Sequence, residues 1–280
     1  MLSGVSITDE TVKQIERFGF AYLDASDDLQ QLMEEAFSAG DRYFDLELGA
    51  KTGDRLPLDT GYRPYGQEYS RSSNQPDQVE SFTTSRRVSN PELRLSNPGK
   101  ELHTKMLSVF DVFERAAEEI TSSLVARFDG AARNLHGAFQ NWSLLQFNCS
   151  RPAMATAEFI NDLHEDGCLL TIMSIAGAGL ELQSGADFTA IPASKHQVLV
   201  MAGEILWLLT GGAIAPVYHR VRKISSQSRR KSLLFFADMN PALCDPWILN
   251  HINQNIDIGQ RVLRNSTRYG LSEWMPEQLR

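Results

Sequence analysis

The stretch that decides the reading is His164-Glu165-Asp166-Gly167-Cys168-Leu169-Leu170. About fifty residues on come Pro216-Val217-Tyr218-His219-Arg220-Val221, and then Arg230-Lys231-Ser232-Leu233-Leu234-Phe235-Phe236. His164 and Asp166 stand two apart, so an extended backbone projects both from one face, just ahead of an apolar strand. His219 lies in a second extended run. Two imidazoles and one carboxylate are the minimal set for a facial metal site, which suits iron(II) and leaves three positions open. Arg230 and Ser232 share a face by the same period of two, and the apolar run after them predicts that both are buried. A buried guanidinium needs an anionic partner to offset its desolvation. The pair therefore reads as a receptor for a carboxylate. Metal site and carboxylate anchor together suggest oxidation with an oxo-acid co-substrate.

Plainer readings exist for each part. Glu165-Asp166-Gly167 also fits a surface turn, and Ser228-Arg229-Arg230-Lys231 a solvated basic turn, which is the reading adopted for Arg229 and Lys231. His196, in the polar turn Lys195-His196-Gln197, competes with His219 as second imidazole, but it reads as solvent-facing. Cys168, two residues after Asp166, reads as a small buried residue of a strand.

Composition sets the outer limits. The 280 residues are long enough for one large core, with 42% hydrophobic and 22% charged residues, as in ordinary globular enzymes. A net charge of −8 speaks against nucleic acid or an anionic membrane as partner, since both need a basic surface. No apolar run approaches the roughly twenty residues of a membrane span. Met1-Leu2-Ser3-Gly4 has no signal-peptide character. Cys149, Cys168 and Cys244 lack metal or disulfide spacing, which points to a reducing compartment, expected to be the cytoplasm. The partner expected is a small molecule, and nothing here fixes an oligomeric state.

Along the chain, Thr8 can cap a helix that Gly19 ends, Phe20–Leu23 reads as a strand, and Ser26 can cap a second helix. From Gly49 to Pro98 the sequence is rich in Gly, Pro, Ser and Asn and reads as a long irregular surface segment. Leu102, Met106, Val109, Phe110, Phe113, Ala117, Ile120 and Leu124 then mark one face of a strong amphipathic helix. Short β-type runs follow at Ser143–Phe147, Leu169–Ile175, Leu180–Gln183, Val198–Met201, Ile205–Leu209, Tyr218–Val221 and Ser232–Ala237, separated by glycine-rich breaks. This punctuation indicates a β-sandwich or jelly roll. The tail after Pro246 reads as helical. One catalytic domain is the simplest count, with a helical and mixed region over 1–135, a jelly-roll core over 136–245 and a helical segment over 246–280.

The order His-x-Asp, fifty-odd residues, His, about ten residues, Arg-x-Ser resembles the isopenicillin N synthase-like family of iron(II)/2-oxoglutarate-dependent dioxygenases. It is carried here by His164, Asp166, His219, Arg230 and Ser232. His219-Arg220-Val221 matches a common family triplet, Arg17-Phe18-Gly19-Phe20-Ala21 resembles its N-terminal strand, and Gly61-Tyr62-Arg63-Pro64 through Phe82 resembles the loop before the long helix. The resemblance implies a mainly β fold with flanking helices around a double-stranded β-helix. It implies iron(II) on His164, Asp166 and His219, 2-oxoglutarate anchored by Arg230 and Ser232 with Asn148 as a further contact, and O₂ as oxidant. Succinate and CO₂ are then released as a small metabolite is oxidised, by default hydroxylated. The family often has Asn-Tyr-Tyr-Pro where this chain has Asn148-Cys149-Ser150-Arg151, so Ser150 replaces a tyrosine that helps bind the oxo-acid. The alternatives are an iron oxidase of this fold that does not use 2-oxoglutarate and a non-catalytic ligand-binding jelly roll. Within the irregular segment, Tyr62, Arg63, Tyr65, Phe82, Arg86 and Arg87 are expected to close over the pocket and touch substrate.

Overall fold

The protein is described here from a computed structural model, which covers residues 4–129, 139, 142–151, 155–226, 229–238, 240, 247–249 and 254–266. Helix α1 (Asp9–Phe18) opens with a capping box, in which the side chains of Thr8 and Thr11 each accept from the other's backbone N–H. Gly19 ends it at φ 78°, a left-handed position that favours glycine. Strand β1 (Phe20–Asp24) leads into α2 (Asp27–Phe44), capped by the Ser26 hydroxyl as expected. Helix α2 buries Leu29, Met33 and Ala36 at helical spacing.

The next stretch departs from the irregular segment expected over 49–98. It holds α3 (Leu48–Thr52), β2 (Arg55–Leu56), β3 (Thr60–Arg63) and β4 (Glu80–Thr84). Every residue of β3 and β4 is buried, so no polar face alternates with an apolar one. Their polar groups are satisfied internally instead. Tyr62 and Lys51 both donate to Glu80, at 2.7 and 2.5 Å, and Arg63 donates to Thr83 at 2.5 Å. A strand whose polar side chains pair in the interior leaves no period-two signature.

Helix α4 (Asn97–Asp129) presents the apolar stripe read from the sequence, and all eight of its residues are fully buried. Each except Ala117 contributes roughly 1.5–3 kcal/mol of transfer free energy. Strands β5 (Leu144–Ser150), β6 (Phe159–His164), β7 (Leu170–Ala176), β8 (Leu180–Ser184), β9 (Asp187–Ala190) and β10 (Ser194–Ala202) follow. Then come α5 (Glu204–Leu209), β11 (His219–Arg222), β12 (Arg230–Ala237), β13 (Trp247–Leu249), β14 (Gln254–Ile256) and α6 (Ile258–Ser266). Two corrections fall here. Ile205–Leu209 is helical, not a strand, since a short buried apolar run looks alike in both states. The tail after Pro246 forms the β13–β14 hairpin before α6, and residues 267–280 lie outside the described residues.

The strands build two antiparallel sheets. One has the order β1-β10-β7-β12-β5-β4-β3-β2, the other β6-β11-β8-β9. From β5 onward the chain alternates between them, save for the β8–β9 pair: β5, β7, β10 and β12 lie in the large sheet, and β6, β8, β9 and β11 in the small one. That winding is the double-stranded β-helix. Strands β1 to β4, from the N-terminal region, supply the other half of the large sheet. Alternation along β12 divides the interior. Phe235 packs on the α4 side, with ring centroids 5.0 Å from Phe110. Leu234, on the opposite face, joins Met173, Leu180 and Val221 between the sheets. The functional cavity opens in that second layer.

Gly40 marks where α2 comes closest to the large sheet. A Cβ there would sit 2.2 Å from the ring of fully buried Phe147, itself wedged against Phe37 and Phe44. Overpacking costs about 1–3 kcal/mol, while alanine gains about 1 kcal/mol of helix propensity over glycine. Gly40→Ala is therefore expected to destabilise the protein by up to about 2 kcal/mol in urea unfolding. A gain in stability would show that Phe147 has room to move.

Candidate active site

Strand β6 ends on His164, β11 begins on His219, and the register sets these two residues opposite each other. Their ring centroids lie 4.3 Å apart. Asp166 follows in the β6–β7 loop, its Oδ1 3.7 Å from His164 Nε2 and 3.9 Å from His219 Nε2. One ligating atom from each residue lies within 4.8 Å of the others. Among the described residues no other three His, Cys, Asp or Glu side chains converge in this way.

The donor set suits a divalent transition metal. The Nδ1 atoms of His164 and His219 lie 2.6 and 3.1 Å from the carbonyl oxygens of Asp162 and Val217. A carbonyl only accepts, so each Nδ1 carries the proton and each Nε2 keeps its lone pair for a metal. Burial, together with the neighbouring His164, pushes the His219 pKa down to about 4 and holds it in the neutral, ligating form. Thr171 Oγ1 donates to Asp166 Oδ2 at 2.5 Å, which leaves Oδ1 to face the imidazoles.

The cavity beside these residues is lined along β12 by Arg230, Ser232, Leu234, Phe236 and Asp238, and along β5 by Leu144, Gln146 and Asn148. Arg230 is 3% exposed, its Nε has no hydrogen-bond partner, and no carboxylate among the described residues lies within salt-bridge distance of it. Burial pushes its pKa down to about 10, so it remains a cation at neutral pH. Arg229 and Lys231, which point the other way, pair with Asp41 at 3.0 and 2.6 Å. A buried cation without a counter-ion is a place for an anionic ligand. Ser232 lies opposite Asn148, and Ser150 lies opposite Arg230 with its hydroxyl 3.5 Å from the Arg230 carbonyl oxygen. Asn148 Oδ1 accepts from Gln146 at 2.7 Å.

The structure brings together His164, Asp166, His219, Arg230, Ser232 and Asn148 around one cavity. It does not bring in Tyr62, Arg63, Tyr65, Phe82, Arg86 or Arg87, none of which lines it. Tyr62 and Phe82 are core residues, and Arg63 is buried in an ion pair with Glu68 at 3.2 Å. Arg86 pairs with Asp111 and Glu114 on α4, Arg87 stacks over Trp142, and Tyr65 is partly exposed. The aromatics and arginines of that segment belong to β3, β4 and their supports. The loop between the two strands supplies Glu68, Tyr69, Ser70 and Asp77 to the cavity wall instead. Ser70 donates to Asp77 twice, and burial pushes Asp77 up to about 6. The signal for these residues was their place between two strands, legible only once β3 and β4 are seen as strands.

His196 is exposed, its ring bonded to Gln30 at 2.8 Å, and it takes no part in the site. Cys168 is buried at the cavity wall, with its Sγ 3.4 Å from the Leu170 carbonyl oxygen and from Thr171 Oγ1. Cys244 lies outside the described residues.

Residues 149–238 match the family model of the 2OG-Fe(II) oxygenase superfamily, and His164, Asp166, His219, Arg230 and Ser232 all fall inside the match. No curated protein matches the chain. Solved structures share its architecture. A full-length Neurospora crassa protein, crystallised in complex with alpha-KG, superposes with a TM-score of 0.74 at 17% identity, covering 92% of this chain and 89% of that one. JOX2 in complex with 2OG, Fe and JA gives 0.71 at 16% identity, covering 95% and 85%. The rice dioxygenase for auxin oxidation gives 0.66 at 20% identity, covering 95% and 92%. At such identities the likeness establishes the double-stranded β-helix. The family match adds the chemistry: the chain carries a 2OG-Fe(II) oxygenase domain, as the isopenicillin N synthase-like resemblance implied. Residues 149–238 are thus those of an iron(II)/2-oxoglutarate-dependent dioxygenase domain. Among the described residues no helix is long and apolar enough to cross a membrane.

Proposed function

We propose that His164, Asp166 and His219 hold the iron(II), and that Arg230 and Ser232 take the far carboxylate of 2-oxoglutarate, with Asn148 beside them. A small-molecule metabolite is then oxidised, by default hydroxylated. The observation that carries this reading is the buried, unpaired guanidinium of Arg230 lining the same cavity as the triad. Iron(II) bound at the triad supplies O₂ activation, which converts 2-oxoglutarate to succinate and CO₂ and oxidises the substrate. The protein's own part is positional. Backbone carbonyls fix the two imidazoles, Thr171 fixes Asp166, and Met173, Leu234 and Phe236 keep the cavity wall apolar and water-poor.

Register supports a place for the substrate. From Arg230 to Asp238 the cavity wall runs eight residues along one strand, roughly 27 Å at 3.4 Å per residue. With 2-oxoglutarate at the Arg230 end, the substrate takes the region of Leu144 and Phe236, which pair across the sheet. We read the whole chain as one catalytic domain, since one apolar cluster draws residues from Val12 to Leu263. We place it in the cytoplasm, where its buried free thiols Cys149 and Cys168 would stay reduced.

The test is a mass-spectrometric screen of metabolites with iron(II), 2-oxoglutarate and ascorbate, scoring added oxygen or lost hydrogens against succinate. One succinate per product supports the reading. Oxidised product without succinate would reassign Arg230 to a substrate carboxylate. Ser232→Ala is expected to raise the 2-oxoglutarate requirement about fivefold, the equivalent of about 1 kcal/mol for one hydrogen bond. No change in that titration would remove Ser232 from the anchor.

A further inference from the structure

The β6–β7 loop that carries Asp166 lies outside the strands, and four of its consecutive carbonyls are occupied. Asp166 O accepts from Glu204 N at 2.9 Å, Cys168 O from Ile205 N at 3.1 Å, and Leu169 O from Gly203 N at 3.0 Å. These donors are the otherwise unpaired N–H groups at the start of α5. The fourth, Gly167 O, accepts at 2.9 Å from a side chain almost one hundred residues away, the Nδ2 of Asn265 on α6. The same Nδ2 donates to Glu204 Oε2 at 2.7 Å, and Arg261, one turn earlier on α6, pairs with Glu204 Oε1. Glu204 thus grips Asp166 through its backbone and α6 through its carboxylate. Asn265 and Glu204 are 5% and 7% exposed, and a Cβ on Gly167 would lie 3.1 Å from Asn265.

Docking of α6 does not require these polar groups. Ile258, Val262 and Leu263 already bury its apolar face. The network is not fully bonded among the described residues, since Asn265 Oδ1 and Arg261 Nε are buried without a hydrogen-bond partner; such a network costs desolvation, and in return it fixes geometry. We propose that Asn265 is a positioning residue, through which α6 clamps the Asp166 loop in the conformation that binds the metal. The proposal rests on Asp166 being a metal ligand.

The decisive measurement is the affinity of the purified full chain for Mn(II), a redox-stable probe, by calorimetry. Asn265→Ala should weaken Mn(II) binding about tenfold or more, the usual effect of removing a group that orients a ligand. At saturating Mn(II), 2-oxoglutarate affinity should stay within about twofold, because Arg230 belongs to a different strand end. Gln260→Ala, exposed on the same helix, should change neither. Unchanged Mn(II) affinity in Asn265→Ala would overturn the clamp, even if its melting temperature fell. Should that variant fail to fold, the wild type decides. Coupling is reciprocal, so Mn(II) loading should slow amide hydrogen exchange across 258–266, and equal exchange there with and without Mn(II) would overturn it. Loss of Mn(II) binding in Asp166→Ala but not in Asn265→Ala would retain the triad and reject the clamp alone.

Discussion

Single replacement of His164, Asp166 or His219 by alanine is expected to abolish turnover and to leave the fold in place. Each supplies one of three ligating atoms held within 4.8 Å of one another. Two remaining ligands would hold iron weakly and in the wrong geometry. The structural cost is small by comparison. Asp166→Ala leaves the Thr171 hydroxyl without its acceptor, a loss of about 1–3 kcal/mol for an unsatisfied buried group. His219→Ala removes a ring that is buried but neutral. Metal titration, succinate release and thermal melting separate the two effects. His196→Ala is the control, expected to be nearly silent, since that exposed ring contacts Gln30. A variant that keeps near-full turnover would remove its residue from the triad, and an essential His196 would move the site altogether.

How much of this was legible depends on the range over which each signal acts. Helices α1 and α2 could be placed because Thr8 and Ser26 cap them locally, and α4 because eight apolar residues recur on one face. The triad was legible for a related reason. His164 and Asp166 are neighbours in sequence, and His219 and Arg230 each sit in a short extended run whose register follows from period two. Residues of β3 and β4 were not legible, because Tyr62, Arg63 and Glu80 read as polar residues of a surface loop until the bonds of Tyr62 and Lys51 to Glu80, and of Arg63 to Glu68 and Thr83, are seen. The residues of this segment expected to touch substrate do not line the cavity for the same reason. Tyr62, Arg63 and Phe82 are buried in β3 and β4, and Glu68, Ser70 and Asp77 reach the cavity instead. Asn265 could not have been found from sequence, since its partner Gly167 is distant along the chain and the bond involves a carbonyl.

Replacement of Arg230 should have two effects of opposite sign. Arg230→Ala is expected to raise the 2-oxoglutarate requirement a hundredfold or more, because a shielded charge-assisted fork to a carboxylate is worth about 3 kcal/mol or more, and each 1.4 kcal/mol is a factor of about ten. Arg230→Lys keeps the charge but not the planar fork, so it should fall between wild type and alanine. Without 2-oxoglutarate the guanidinium is a buried cation with no carboxylate beside it among the described residues, and burial has already pulled its pKa down to about 10. Replacing such a charge with an apolar side chain of similar length is often stabilising, by about 1–4 kcal/mol. Arg230→Met should therefore melt at a higher temperature than wild type when 2-oxoglutarate is absent. Saturating 2-oxoglutarate should reverse the order, since it stabilises only the protein that binds it. Equal 2-oxoglutarate affinity in wild type and Arg230→Ala would sink the anchor. A lower melting temperature for Arg230→Met under both conditions would mean that the guanidinium is held by the fold rather than for a ligand.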